Sequence, residues 1–286
     1  MKLEGRNAII TGANQGLGLK IAETFIKEGA SIAICARDEH KLEEAVTHLT
    51  AMKGPNQKIV SMKVDVSSEH DVQEFIKNAI TSLGRIDIVV NNAGIYGPKG
   101  FIDTINSEDW KKTIEVNLFG TFYVCKHIIP HMKEHHYGKI INIAGGGSGA
   151  LPGISAYVTS KSGVIRLTET LAEECIDFKI DINSIAPGAL NTRLLDEVLE
   201  AGAEAVDKKF YEKALQQKSD GGVPLEKGAA LCVFLASKDS DGITGKSLSA
   251  VWDSWNEFSK HIDTIKNTDV YTFRRITPQD RGEDWS

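Results

Sequence analysis

The chain is 286 residues long and carries 33 basic against 39 acidic side chains, a formal charge of −6, which allows one large domain or two small ones. The acidic balance, with no Lys/Arg block larger than scattered pairs, excludes a protein built to hold phosphate backbones, so no nucleic-acid partner is expected. Apolar residues at 41% and charged ones at 25% are enough for a substantial core, and no segment approaches the roughly 18 apolar residues of a spanning helix, so disorder and a membrane span are excluded too.

The N-terminus passes through Lys2, Glu4 and Arg6 straight into a strand-like run, with no signal-peptide pattern, so a cytoplasmic location is expected. Asn7–Thr11 is the first buried strand, followed by Thr11-Gly12-Ala13-Asn14-Gln15-Gly16-Leu17-Gly18 and a helix over Leu17–Glu28. In that turn Gly12 permits a tight bend, Gly16 lets the backbone approach a pyrophosphate, and Gly18 lets the helix pack closely. The helix N-terminus offers unpaired amides to the phosphates. Ser31–Ala36 is the second strand, Arg37-Asp38 the turn after it, and Glu39–Met52 the next helix. A strand over Lys58–Val64 precedes Glu69–Leu83, a helix capped by Ser68.

Further strands follow at Ile86–Asn91, Lys139–Ala144, Asp181–Ile185 and Ser247–Val251, and helices at Leu118–Glu134, Ala156–Cys175 and Leu225–Ala236. Seven strands alternating with helices predict a single α/β domain with a doubly wound seven-stranded parallel sheet and a ligand crevice at the carboxyl ends of the strands. The insertion Asn191–Gly222 is helical in composition and placed to act as a lid. The four cysteines lie far apart, as expected of buried reduced thiols. His127, His131 and His135 recur every four residues, but nothing acidic or thiol-bearing completes a set and Pro130 interrupts the helix nearby, so no metal is expected. Three of the four tryptophans, Trp252, Trp255 and Trp285, fall in the last 35 residues.

The glycine spacing, Asp65-Val66, Asn91-Asn92-Ala93-Gly94, Asn117, the Tyr157-x-x-x-Lys161 pair and Pro187-Gly188-x-x-x-Thr192 together resemble the short-chain dehydrogenase/reductase family over about residues 5–251. The resemblance implies a Rossmann-like fold, a nicotinamide dinucleotide, a small alcohol or ketone substrate, and a homodimer or homotetramer joined through Leu118–Glu134 and Ala156–Cys175. Gly12, Asn14, Gln15, Gly16, Leu17 and Gly18 would cradle the dinucleotide. Asp65 and Val66 would meet its adenine, and Asn91, Ala93 and Gly94 would line the ribose side and brace the central strand. Pro187, Gly188, Leu190 and Thr192 would hold the carboxamide.

Arg37 at the first position after the second strand matches an NADP preference over NAD, although the glycine loop supplies Asn14 and Gln15 rather than a second basic residue. Tyr157 and Lys161 lie four apart at a helix start, where an ammonium would lower the phenol's ordinary pKa near 10 and make an acid/base. Lys161 would also bond the nicotinamide ribose, and Asn117 would hold a water linking Lys161 to solvent.

One motif departs from the family. Its substrate-binding serine lies about 13 residues before the tyrosine, where this chain has Ala144. Gly145, Gly146 and Gly147 follow, and Ser148 is the first hydroxyl and the candidate substitute. Two further readings stand beside the oxidoreductase: a nucleotide-binding regulator with weak turnover, suggested by the missing serine, and a dehydratase or epimerase that returns the hydride. Residues 252–286 exceed the 1–251 domain and are expected to pack on it or on a neighbouring subunit. Stacking of their aromatics over the crevice would suit a carbohydrate-like substrate.

Overall fold

The computed structural model describes residues 1–285. The seven expected strands are β1 (Asn7–Thr11), β2 (Ser31–Ala36), β3 (Ile59–Lys63), β4 (Ile88–Asn91), β5 (Gly138–Ile143), β6 (Ile180–Ala186) and β7 (Ser247–Ser249). They form one sheet in the order β3-β2-β1-β4-β5-β6-β7, with every pairing parallel. Strand order reverses between β1 and β4, which opens a crevice beyond their carboxyl ends. The middle strands are apolar on both faces because helices cover both. One layer is α1 (Gly16–Lys27), α2 (Glu39–Thr50) and, further along the chain, α9 (Leu225–Ala236). The other contains α3 (Glu69–Leu83), α5 (Gly120–Glu134) and α6 (Ser155–Cys175). Two core clusters follow, one on each side of the sheet.

The sequence reading missed α4 (Ser107–Ile114). Its cap was legible: Asn106 accepts hydrogen bonds from the amides of Glu108 and Asp109, which also place negative charge in the first turn. A π-helical turn, Glu115–Phe119, joins α4 to α5, and α5 runs through Pro130 without ending there. The insertion forms α7 (Arg193–Ala201) and α8 (Lys208–Asp220), whose Leu195, Val198 and Ala214 bury against Ile154 and Val206 as a small core of their own.

The end of the chain packs on its own domain. Phe258 and Ile265, the latter in α10 (Ile262–Asn267), enter the core that contains α9. Trp255 packs tilted and Phe258 edge-on against Phe234, with ring centroids 5.6 and 6.2 Å apart, and Tyr271 packs tilted against Phe258 at 5.3 Å. The Tyr271 carbonyl accepts from the amide of Ser247, so the tail covers the free edge of β7, and the Phe273 backbone is held by Arg166 and Glu169 of α6. Trp252 and Trp285 stay exposed.

The histidine face of α5 is tied into the fold. His127 bonds Glu69 at 3.0 Å, and Nε2 of His131 accepts the Ile86 amide at 3.0 Å. Glu134 corrects the expectation that no acid stands by: it brings a donor atom within 4.8 Å of those of His131 and His135, and Glu134 and His135 are exposed.

Candidate active site

The crevice at the β1/β4 switch has a volume of about 1160 Å³. Its floor is the β1–α1 turn, where Gly12 and Gly16 have φ of 64° and 56°, a region that glycine enters without strain. A Cβ on Gly18 would lie 2.2 Å from the Gly12 carbonyl oxygen, so only glycine lets α1 start this close to the strand. No side chain caps α1 at Gln15, and its first amides are left for an anion. The turn is clamped to the segment after β4. Thr11 Oγ1 accepts from the amides of Asn92 and Ala93 at 3.1 Å, and Asn92 Nδ2 donates to the carbonyls of Thr11 and Gly12 at 3.0 Å.

Of the residues expected to hold a dinucleotide, Gly12, Asn14, Gln15, Gly16, Leu17, Gly18, Arg37, Val66, Ala93, Gly94, Tyr157, Lys161, Pro187, Gly188, Leu190 and Thr192 line the crevice. Asp65 and Asn91 do not. The Asp65 carboxylate accepts from the amide and the hydroxyl of Ser67 at 3.0 and 2.6 Å. Burial pushes its pKa up, but those bonds, with the charges of Lys112 and Arg37, outweigh it and hold the group below its ordinary value. Asn91 points the other way because side chains alternate along a strand. It donates to Asn142 at 2.9 Å, and Asn142 to Thr168 at 2.8 Å, in a buried network that braces the sheet centre. The crevice-facing member of the Asn-Asn pair is Asn92. Lys41 was also missed. It lies one turn into α2, lines the crevice beside Arg37, and places Nζ 3.5 Å from Gln15 Oε1. Asp38 meanwhile caps α2 by accepting from the Lys41 amide.

Tyr157 and Lys161 project from the first turns of α6. The Tyr157 hydroxyl donates to the Gly145 carbonyl at 2.9 Å, and the Lys161 ammonium donates to the Ile143 carbonyl at 2.7 Å. The ammonium lies 5.8 Å from the centre of the Tyr157 ring. The expected lowering of the tyrosine's pKa is therefore not what this arrangement gives: burial, followed by the neighbouring Tyr96, pushes the phenol up, and burial lowers Lys161 to about 8. The resting pair is a protonated phenol beside a weakly held ammonium.

Asn117 is fully buried in the π-helical turn, a distortion frequent at functional positions. Its Nδ2 donates to the Ile95 carbonyl and to Ser160 Oγ, and its Oδ1 accepts from the Ile95 amide, each at 2.9 Å. Gly94 separates it from Lys161, since a Cβ there would sit 3.2 Å from Asn117 Oδ1 and 3.4 Å from Lys161 Nζ.

Ser148 does not reach the crevice. Gly146 turns the chain at φ 88°, and Gly147 packs so tightly on the α6 backbone that a Cβ would lie 2.6 Å from the Lys161 carbonyl carbon, which sends Ser148 out to solvent. The Ala144 methyl packs under α6 with Val164 and Ile165, and the residue at the strand end that lines the crevice is Gly145, which has no side chain. Among the described residues, none from the 252–285 tail lines the crevice, so its aromatics do not stack over their own subunit's site.

The lid side is formed by α7 and α8. Lys99, in the segment after β4, pairs with Glu197 of α7 at 2.8 Å, and Arg193 joins the same carboxylate at 3.1 Å. Tyr96 stands beside Tyr157, edge to face, with ring centroids 4.5 Å apart.

The family model of short chain dehydrogenases matches residues 6–202. Dehydrogenase/reductase SDR family member 4 of Caenorhabditis elegans is 34% identical over 250 residues, which cover 86% of this chain and 94% of that protein. The 3-oxoacyl-acyl-carrier-protein reductase FabG of Thermotoga maritima is 32% identical over 249 residues, covering 86% and 96%. A solved structure of NAD⁺-bound xylitol dehydrogenase superposes with a TM-score of 0.80 at 29% identity, covering 87% of this chain and 98% of that one. A family model matched over more than half of the chain, with relatives 32–34% identical over 86% of it, makes the chain a member of the short-chain dehydrogenase/reductase family of oxidoreductases.

Proposed function

We propose that the protein interconverts a secondary alcohol and a ketone with a nicotinamide dinucleotide, using Tyr157 as acid and base. The observation that carries this is the convergence of Tyr157 and Lys161 on a crevice whose floor, built from Gly12, Gly16, Gly18 and the uncapped start of α1, fits a dinucleotide's phosphates. A bound nicotinamide supplies or accepts the hydride. In reduction, the substrate oxygen competes with the Gly145 carbonyl for the Tyr157 proton, and the phenol, held in its acid form by burial, gives that proton up as charge develops on the oxygen. Lys161 then stabilises the phenolate, and in oxidation the phenolate takes the alcohol proton. Asn117, fixed by three hydrogen bonds, stands on the far side of Gly94 from Lys161, where it keeps a route for proton return. Tyr157→Phe should abolish hydride transfer to a carbonyl panel while leaving the dissociation constant for NADPH or NADH within about twofold, since a phenyl ring preserves the packing. Unchanged turnover in that variant would sink the assignment.

NADP is the favoured cofactor. Arg37 and Lys41 together put two cations where a 2′-phosphate would sit, and Asp38 has one oxygen engaged in capping α2. Replacing both cations by Ala should weaken NADPH by about 30-fold or more and NADH by little. Equal losses for the two would argue for NAD.

The lack of a hydroxyl at Ala144 or Gly145, with Ser148 in solvent, favours a second reading, a nucleotide-binding regulator with weak turnover. The same assay decides it, and net change in cofactor absorbance separates an oxidoreductase from a dehydratase or epimerase. The face of α5 and α6 around Leu118, Phe119, Phe122, Gly163 and Leu167 is an apolar groove with Phe119 and Phe122 exposed, which supports pairing of two copies into a dimer or tetramer there. No helix among the described residues is long and apolar enough to cross a membrane, and a cytoplasmic site of action is proposed. Residues 252–286 act in this reading as a structural extension of the 1–251 domain.

A further inference from the structure

The space in front of Tyr157 differs in kind from the rest of the crevice. Tyr96, Leu151, Leu195, Val198, Phe210 and Ala214 all line the crevice, and all belong to the one apolar cluster that includes Tyr157. Among these six the only polar side-chain atom is the Tyr96 hydroxyl, which has no hydrogen-bond partner among the described residues. The Tyr96 ring is fixed edge-on to Tyr157, and its phenol is kept protonated by burial and by the charge of Glu197. Of the charged lid residues that line the crevice, Arg193 is held by Glu197, which also holds Lys99, and Asp196 holds Lys218 at 2.6 Å. Lys213 is the exception, exposed at the rim.

Among these six residues a polyol would bury several hydroxyls with one partner between them, since Asn191 and Gln217, which also line the crevice, bond each other, and each hydroxyl left unpaired costs on the order of 10- to 100-fold in affinity. An apolar body loses nothing and removes its own surface from water. A ketone oxygen gains from a second donor besides Tyr157, and no side chain at the end of β5 provides one. Resting on the oxidoreductase reading of this same site, we infer that the substrate is an uncharged ketone, or its alcohol, on an apolar alicyclic or aryl body, with its oxygen shared between the hydroxyls of Tyr157 and Tyr96.

Binding and turnover test this separately. With the protein saturated with oxidised NADP, ketones cannot react, and calorimetric titration reads affinity alone. 1-Tetralone or cyclohexanone should bind at least about 100-fold more tightly than xylulose or acetoacetyl-coenzyme A. Tyr96→Phe, which keeps the ring contact with Tyr157, should weaken tetralone by about tenfold and lower its kcat/KM by about 10- to 100-fold, with NADP affinity unchanged. Preference for xylulose or for the thioester would overturn the substrate class. A Tyr96→Phe variant equal to wild type, with only Tyr96→Leu impaired, would reduce Tyr96 to packing and overturn its role. Tight tetralone binding with no hydride transfer from NADPH, or transfer that survives Tyr157→Phe, would instead sink the oxidoreductase reading while leaving the substrate class standing.

Discussion

Lys161 carries the strongest single-residue consequence. It is 4% exposed, and burial lowers its pKa from 10.5 to about 8. A group with a depressed folded pKa holds its proton more tightly in the unfolded chain. The buried charge therefore costs stability below pH 8, and that cost shrinks as pH rises from 8 to 10.5. Lys161→Met removes the titration. The variant should be more stable than wild type at pH 7 without nucleotide, by up to about 3 kcal/mol, and should lose most of that advantage by pH 10.5. Denaturant melts at both pH values check this, and a pH-independent difference would refute it. The sequence placed Tyr157 and Lys161 on one helix face, but it could not say that the phenol's partner is a carbonyl rather than the ammonium. That depends on where the Gly145–Gly147 loop passes.

At the scale of the element, the β1–α1 turn is the least forgiving. The obstacle to a Cβ on Gly18 is the Gly12 backbone, with no flexible side chain to yield. Gly18→Ala should therefore destabilise the fold by about 1–3 kcal/mol and weaken dinucleotide binding together, read by thermal melts and titration. The lid shows the opposite temper. The Lys99–Glu197 pair, 98 residues apart in the chain, ties α7 to the segment after β4 with both side chains mostly buried. Lys99→Ala should speed proteolysis within residues 191–222 by roughly two- to fivefold, as loss of a pair worth about 0.5–1 kcal/mol implies, and saturating dinucleotide should reverse the effect. The helical composition of this insertion was legible in the sequence. The pairing partner across the crevice was not.

Over the whole molecule, the tail supports the sheet edge. Phe258 and Ile265 are 3% exposed within the main core, and Lys246 just before β7 and Ser247 at its start bond the backbone of Thr268 and Tyr271. Ile265→Ala should cost about 2–4 kcal/mol, and deletion of residues 259–286 should lower the melting temperature markedly while leaving the ratio of kcat/KM between ketones unchanged. A change in that ratio would return the tail to the site. The uneven tryptophan count thus divides: Trp255 packs on α9, and Trp252 and Trp285 face solvent.

What the sequence by itself determined is the alternation of strands and helices, the glycine turn, and the placing of Tyr157 and Lys161, the proposed acid/base pair, on one helix face, because each is written in neighbouring residues with a fixed period or spacing. The same locality explains the missed Asn92 and Lys41, whose types were visible but whose facing depends on strand alternation and helix phase. Only the tertiary structure decided that Asp65 bonds Ser67, that Asn91 turns into the buried network of the sheet, that Ser148 faces solvent, that Tyr96 lines the crevice, and that the tail packs along the sheet edge of its own subunit. Those outcomes rest on contacts between segments far apart in the chain, where the packing of one backbone on another, and not local preference, selects which side chain faces the space between them.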